Sequence, residues 1–247
     1  DWFLARRILK HGDAFIVMSE EDFALMRRAL PKALIKGTMH PPYDVFSRQP
    51  IPRCEAREKL GLGTDGPVLL FFGFVRHYKG LRYLVDAMPK IREKVNAHLL
   101  IVGEFWEDDR PYKDAIRKHK LDASVTIVNR YVANDQMALY FSAADVVVMP
   151  YLEATQSGVA QLAIGFERPI ITTTVGGMPE LLRDSEIGLI VPPADSDALA
   201  DAVIRFFSEH MADSMTTNIR NTKGSSSWLP LVRLIEDLAT SAPSQAS

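Results

Sequence analysis

A single cysteine, Cys54, occurs among 247 residues, which excludes an intrachain disulfide and any zinc site built on thiolates. That usage fits a reducing compartment, and a cytoplasmic location is the expectation. No apolar run approaches the roughly 18 residues a membrane-spanning helix needs, so any membrane association is expected to be peripheral. The opening Asp1-Trp2-Phe3-Leu4-Ala5-Arg6-Arg7 lacks the form of a signal peptide and carries no initiator methionine, so the expectation is a chain that begins within a longer protein. An excess of one charge is also lacking: 29 Lys and Arg stand against 31 Asp and Glu, a net charge of -2. Nothing electrostatic therefore points to nucleic acid as a partner. No strand-like run leads into a G-x-G-x-x-G turn with an acid about 20 residues later, which argues against a dinucleotide-dependent oxidoreductase or epimerase. Internal repeats are missing, and low complexity is confined to the final Ser, Ala, Pro and Gln residues.

What the chain does have is apolar content, 47% of its residues, enough for a sizeable core. Short β-branched runs predict strands at Val68–Phe72, His98–Val102, Val125–Val128, Val146–Met149, Ile170–Thr173 and Gly188–Val191. Amphipathic patterns at about 80–95, 111–119, 134–143, 158–166, 178–183 and 195–208 predict a helix after each strand. Strands that are apolar throughout are buried on both faces, so the predicted fold class is α/β, a doubly wound parallel sheet. Ahead of it, Ala14–Met18 and Leu34–Thr38 read as strands, with Ser19 and the acids Glu20, Glu21 and Asp22 starting a helix between them. Pro41, Pro42, Pro50 and Pro52 mark a linker near residues 40–55. Gly224–Ser227 reads as flexible, and Trp228–Leu238 as a last amphipathic helix.

Three turns carry the chemistry. After the apolar run Val146–Met149 and Pro150, the small residues Thr155-Gln156-Ser157-Gly158 lead into the helix-like Val159–Ile164. A buried strand that restarts as a helix in this way presents unpaired backbone N–H groups to an anion. A second turn, Val175-Gly176-Gly177-Met178-Pro179-Glu180, follows the next strand. Two such turns in successive units point to a phosphorylated ligand. The third is Gly73-Phe74-Val75-Arg76-His77-Tyr78-Lys79-Gly80, where two cations follow the first strand of the regular domain. Ligands of open parallel sheets bind beyond the carboxyl ends of the strands, so Arg76 and Lys79 are read as ligands of a diphosphate rather than as solvated loop charges.

The ordered set Lys79-Gly80-Leu81, Val102-Gly103-Glu104, Ala144-Asp145-Val146 with Met149-Pro150, Pro169-Ile170-Ile171, Val175–Glu180 and Pro192–Ala200 resembles the C-terminal half of a GT-B, family 4 type glycosyltransferase over about residues 67–208. The resemblance implies a Rossmann-like domain that binds a nucleotide-sugar donor and transfers the sugar to an acceptor held mainly by an N-terminal domain, typically with retention and without a metal or other cofactor. It divides the chain into residues 1–45, a remnant of that N-terminal domain and linker; 46–223, the donor-binding domain; and 224–247, a return helix and tail. Most of the acceptor domain is then missing, and the acceptor is left unspecified. The implied donor ligands are Arg76, Lys79, Thr155, Gln156, Ser157, Gly158 and Gln161, with Gly103, Glu104, Gly176 and Gly177 as further candidates. Asn129-Arg130-Tyr131 occupies the place where the family's backbone groups meet the base.

Departures from the family pattern fall at the site. Counted from Pro150, the two family acids would stand at Ala154 and Leu162. Glu153 and Gln161 keep the mutual spacing one residue early, which turns a helical side chain by about 100°. The Ala154–Gly158 turn resembles a branch without the paired acids, and no catalytic residue is assigned. Phe74 stands where the family usually has Arg, making Arg76 the substitute. His40 and His77 have no second acid-base group beside them in the sequence to mark a catalytic role and read as packing or solvated residues, and Glu107, Asp108 and Asp109 as a solvated acidic loop rather than a metal cluster. The missing acids leave an alternative to transfer: a regulatory module that binds nucleotide-sugar without transfer activity.

Overall fold

The structure is a computed structural model that describes residues 7, 9, 11–38, 40–41, 43–47, 51–183, 186–225 and 228–241. The chain divides into two units, Asp1–Pro41 with Ser226–Ser247, and Pro42–Ser225. In the first, β1 (Ala14–Val17), α1 (Glu20–Ala29) and β2 (Leu34–Gly37) form a β-α-β unit with β1 and β2 paired in parallel. Ser19 caps α1 by accepting from the Asp22 amide at 3.0 Å, and the acids at Glu20–Asp22 and the bases Arg27 and Arg28 sit at the ends the helix dipole favours.

The second unit runs α2 (Arg53–Lys59), β3 (Val68–Phe72), α3 (Leu81–Val95), β4 (His98–Val102), α4 (Arg110–Lys118), β5 (Val125–Val128), α5 (Met137–Ala143), β6 (Val146–Met149), α6 (Gly158–Gly165), β7 (Ile170–Thr173), α7 (Met178–Arg183), β8 (Gly188–Val191), α8 (Ser196–Ser208) and α9 (Ala212–Ser225). The final helix, α10 (Leu229–Ser241), belongs to the first unit. The six strands of the second unit form one parallel sheet in the order β5-β4-β3-β6-β7-β8. This is the doubly wound α/β fold the apolar runs predict, with the strand bounds as read from sequence.

Alternation along the buried strands builds a core on each face. Leu70, Phe72, Leu100, Val102, Val147 and Met149 face one way, toward Phe141 and Ala160. Leu69, Phe71, Leu99, Ile101, Val146 and Val148 face the other, toward Leu84, Met88, Val203 and Phe206. Strand order reverses between β3 and β6, so the loops after these two strands diverge and leave a crevice between them. That switch point is where open α/β sheets hold ligands.

Two helices differ from the sequence reading. Pro50 and Pro52 suggest a linker, yet Pro52 stands at the N-cap of α2, a position where its missing N–H costs nothing. α2 then places Arg57 wholly inside the protein. Its guanidinium donates to the carbonyls of Ala143 (2.9 Å), Thr64 (2.8 Å) and Gly66 (2.8 Å) and pairs with Asp145 at 2.7 Å, tying the helix to the amino ends of β3 and β6. Helix α9, polar except for buried Met215 and Ile219, continues through Gly224 and Ser225 where the sequence suggests flexibility; Ser226 and Ser227 lie outside the described residues, as do 242–247 of the tail.

Candidate functional site at the switch point

The crevice between the loops after β3 and β6 is a cavity of about 730 Å³ lined by Gly73, Phe74, Tyr78, Lys79, Tyr151 and Glu153–Val159, together with Tyr43 and Leu162. The two loops are fastened to each other: the Leu152 amide donates to the Tyr78 carbonyl at 2.7 Å. After β3 the chain makes a short 3-10 turn, His77–Lys79, that rolls Lys79 inward. Its side chain is 8% exposed, and the ammonium sits 5.5 Å above the Tyr151 ring. Among the described residues no carboxylate pairs with it. Burial, and after it the positive field of Arg76, pulls the Lys79 pKa from 10.5 down to about 8. A buried cation without a counter-ion, facing a cavity, is a site poised for an anion.

The opposite wall is the N-terminus of α6. Ser157 is its cap: the hydroxyl accepts from the Ala160 amide at 3.3 Å and lies 3.3 Å from the Tyr151 hydroxyl. Tyr151 is buried, and desolvation pushes its phenol well above the ordinary tyrosine range. It therefore stays a neutral hydroxyl that braces the cap. α6 carries no acid in its first turn, so its N-terminal dipole adds positive potential to that of Lys79.

The other sequence candidates are distributed as follows. Thr155, Gln156, Ser157 and Gly158 line the cavity with Lys79, whereas Gln161 is buried on α6 outside that lining, and its carbonyl accepts from the Tyr43 amide. Gly176 and Gly177 serve the turn itself. The Gly177 amide donates to the Thr155 carbonyl at 3.0 Å, and a Cβ on Gly176, whose φ is +50°, would run into the Ala154 carbonyl. The glycines thus set the shape of the 155–158 turn by close backbone approach. Glu153 and Ala154 both face the cavity, as does Leu162. Glu107, Asp108 and Asp109 are engaged with Tyr112, Arg110 and Lys113, and among the described residues no three His, Cys, Asp or Glu side chains gather as a metal site.

Arg76 does not line the cavity. Its guanidinium lies over the Trp106 ring, 4.3 Å from the centroid. Trp106 packs on Phe74 with ring centroids 4.5 Å apart and planes tilted by 40°, and Phe74 belongs to a second, smaller recess of about 120 Å³ beside the first: Phe72, Gly73, Phe74, Gly103, Glu104, Arg130, Tyr131, Val132 and Met137 line it. Gly103 and Glu104 thus stand at this recess. The aromatic grouping was not legible in the sequence, because Phe74, Trp106 and Tyr131 follow three different strands.

An open doubly wound parallel sheet with a cationic crevice at its switch point is the architecture of nucleotide-binding α/β domains. Residues 66–209 match the family described as glycosyl transferases group 1, and the chain belongs to that family. It is 32% identical over 157 residues to an uncharacterized glycosyltransferase of Methanocaldococcus jannaschii, covering 62% of this chain and 39% of that protein. It is 30% identical over 206 residues to a D-inositol 3-phosphate glycosyltransferase of Streptomyces bingchenggensis, covering 76% of this chain and 44% of that protein. Among solved structures it is similar to a sucrose-phosphate synthase of Thermosynechococcus elongatus, with 28% identity and a TM-score of 0.81 over 96% of this chain and 61% of that one. The fold is that of GT-B glycosyltransferases. The chain spans less than half the length of the curated relatives it matches. Among the described residues no helix is long and apolar enough to cross a membrane.

Proposed function

We propose that this chain is the donor-binding part of a nucleotide-sugar-dependent glycosyltransferase, and that its 730 Å³ cavity receives the diphosphate and sugar of the donor. The observation that carries the reading is Lys79: its ammonium is buried, lacks an acidic partner among the described residues and faces the capped N-terminus of α6 across the cavity. In the reaction the bond between sugar C1 and the diphosphate oxygen breaks as negative charge grows on the leaving diphosphate. Lys79 and the α6 amides neutralise that charge, which lowers the barrier without a metal. Solved proteins of the same fold include one from Anabaena crystallised with UDP-glucose, a donor of the proposed class.

The finer reading is a family 4 type enzyme acting with retention, of the branch whose turn reads Ala154-Thr155-Gln156-Ser157-Gly158. It places the donor site within residues 46–223 and the acceptor on a domain that residues 1–45 only begin, in a cytoplasmic protein without a metal cofactor. Calorimetry with UDP, GDP and ADP tests the donor site. Lys79→Ala should weaken the best of them by about 1.5 to 3 kcal/mol, the range of a charge-assisted contact. Equal affinity in the variant refutes the assignment. The second reading, binding without transfer, is favoured by Ala154 and Leu162, which present no carboxylate where they face the cavity. Transfer by the full-length protein, lost on changing Lys79, would exclude it.

A further inference from the structure

The edge of the sheet opposite the donor crevice, at the amino ends of the strands, carries a second concentration of cations. Arg53 and Arg57 of α2 meet Asp145 just ahead of β6, and Arg168 stands just ahead of β7, where its amide closes the last turn of α6 on the Ala163 carbonyl. The carboxylates here are already committed. Asp145 accepts from Arg57 and from the Val68 amide, both at 2.7 Å, through one oxygen, and pairs with Arg53 at 2.8 Å through the other. Glu167 pairs with Arg220 of α9 at 2.7 Å and lies 3.8 Å from Lys223. Arg168 is left over. Two guanidinium Nε atoms are buried without a hydrogen-bond partner, those of Arg92 and Arg168. Arg92 still donates to the Asn96 side chain at 3.2 Å, whereas the Arg168 side chain has neither a hydrogen bond nor an ion pair among the described residues. Burial is the main influence lowering its pKa; the fields of Asp145 and Glu167 raise it and those of Arg53 and Arg220 lower it. The carboxyl end of α6 adds only a fraction of a negative charge, and Lys223 already donates to the Gly165 carbonyl there at 2.7 Å. A desolvated charge that its own chain leaves unpaired marks a place for a counter-ion.

We propose that Arg168, with Arg53 and Arg220 beside it, binds a phosphate-type oxyanion at the amino edge of β6 and β7, a site separate from the donor crevice and independent of the donor reading. Arg168 is half-buried while Arg53 and Arg220 are exposed, so the site is open to solvent on one side and dry on the other. A dianion entering it reaches a guanidinium that has no competing acceptor, and the planar fork of arginine matches phosphate oxygens two at a time. Arg53 and Arg220 each hold a carboxylate with part of a guanidinium and can turn their remaining N–H groups to the anion. Arg57 is the frame of the site and not a ligand, since its donors are engaged by Asp145 and by the carbonyls of Ala143, Thr64 and Gly66. Helix α6 then has an anion at each end for different reasons. Backbone amides and the dipole favour one at its amino end, and arginine side chains override the dipole at the other.

The test is calorimetry and thermal unfolding with inorganic phosphate, against chloride at matched ionic strength, on the chain and on Lys79→Ala, which removes the cation of the donor cavity. Phosphate should bind Lys79→Ala and raise its Tm above the value in chloride. Adding Arg168→Gln to that variant should weaken phosphate by about tenfold. Arg220→Gln changes an exposed residue, leaves the core intact and frees Glu167 to repel the anion, so it should weaken phosphate as well and keeps the test open where Arg168→Gln does not fold. Glycerol 3-phosphate separates the two sources of such an anion: binding as tight as that of phosphate assigns the site to phosphomonoesters, and much weaker binding assigns it to the free ion. Phosphate that acts on the wild type but not on Lys79→Ala occupies the donor cavity and overturns the proposal. Phosphate that does no more than chloride, or that binds either arginine variant as tightly as Lys79→Ala alone, overturns it too, and each of these results leaves the donor reading standing.

Discussion

Replacing Lys79 with methionine should stabilise the ligand-free protein. The side chain is 8% exposed, and its pKa falls from 10.5 to about 8, burial being the main cause and the Arg76 charge the second. Each tenfold change in acidity is 1.36 kcal/mol, so keeping the ammonium charged in the folded site costs about 3 kcal/mol, as a ceiling. Methionine has a similar length and no charge to desolvate. For a unit of this size the gain corresponds to a rise in Tm of several degrees, about 10 °C at most. The pH dependence has a definite sign. Below pH 8 the lysine is protonated folded and unfolded, and the full cost is present. Between pH 8 and 10.5 the folded state sheds the proton first, so wild-type stability rises with pH and the gap to the variant closes. Diphosphate affinity should do the reverse in the wild type, falling as pH rises through about 8 because the neutral amine no longer attracts the anion. Differential scanning calorimetry from pH 6.5 to 10 measures the first effect and isothermal titration the second. A Lys79→Met variant that melts at or below the wild type at pH 7 would refute the reasoning, since the ammonium would then stabilise the fold it is held to burden.

Two further substitutions probe the supports of the site. Arg57→Ala strands three carbonyls and removes the fully buried partner of Asp145, and chemical denaturation should show a loss of about 3 to 5 kcal/mol. Ser157→Ala removes both the α6 cap and the partner of the buried Tyr151 hydroxyl, with an expected cost of about 1 to 3 kcal/mol; combined with Tyr151→Phe the losses should be less than additive, and strict additivity in the double-mutant cycle would show that the two hydroxyls do not interact.

The sheet was legible because each of its strands is short, apolar and bounded by turn residues, and burial on both faces leaves little else for such runs to do. Helix α2 escaped notice since proline breaks helices in their interior but starts them at the first turn, and only three-dimensional context separates the two at Pro52. Among its described side chains helix α9 buries Met215 and Ile219 in an otherwise mostly polar sequence, a periodicity too thin to read. At the site, the cation in the loop after β3 and the cap at Ser157 were readable as local chemistry. The partner of Arg76 was not: Trp106 lies beyond the next strand, and register alone brings it under the guanidinium. Gln161 shows the opposite difficulty, since spacing along α6 says which residues share a face but not which face meets the cavity.

Beyond β3 and β4 the two loops meet backbone to backbone, at Gly73 and Gly103. Hydrogen bonding continues past β3 and β4, with the Gly73 amide donating to the Val102 carbonyl at 2.9 Å and the Gly103 amide to Val128 at 3.0 Å. Gly103, at φ +143°, passes so close to the Gly73 carbonyl that any Cβ there would collide with it. Support and selectivity are thereby carried by different atoms. On the proposed donor reading, the backbone crossing would fix where the ligand lies, while the residues immediately after each glycine, Phe74 and Glu104, line the smaller recess and can be exchanged without moving the crossing. If the proposed donor site is right, a sheet edge organised this way can diverge in donor preference by single substitutions, and a library randomised at Phe74, Glu104 and Tyr131 with both glycines held tests that on an unchanged scaffold.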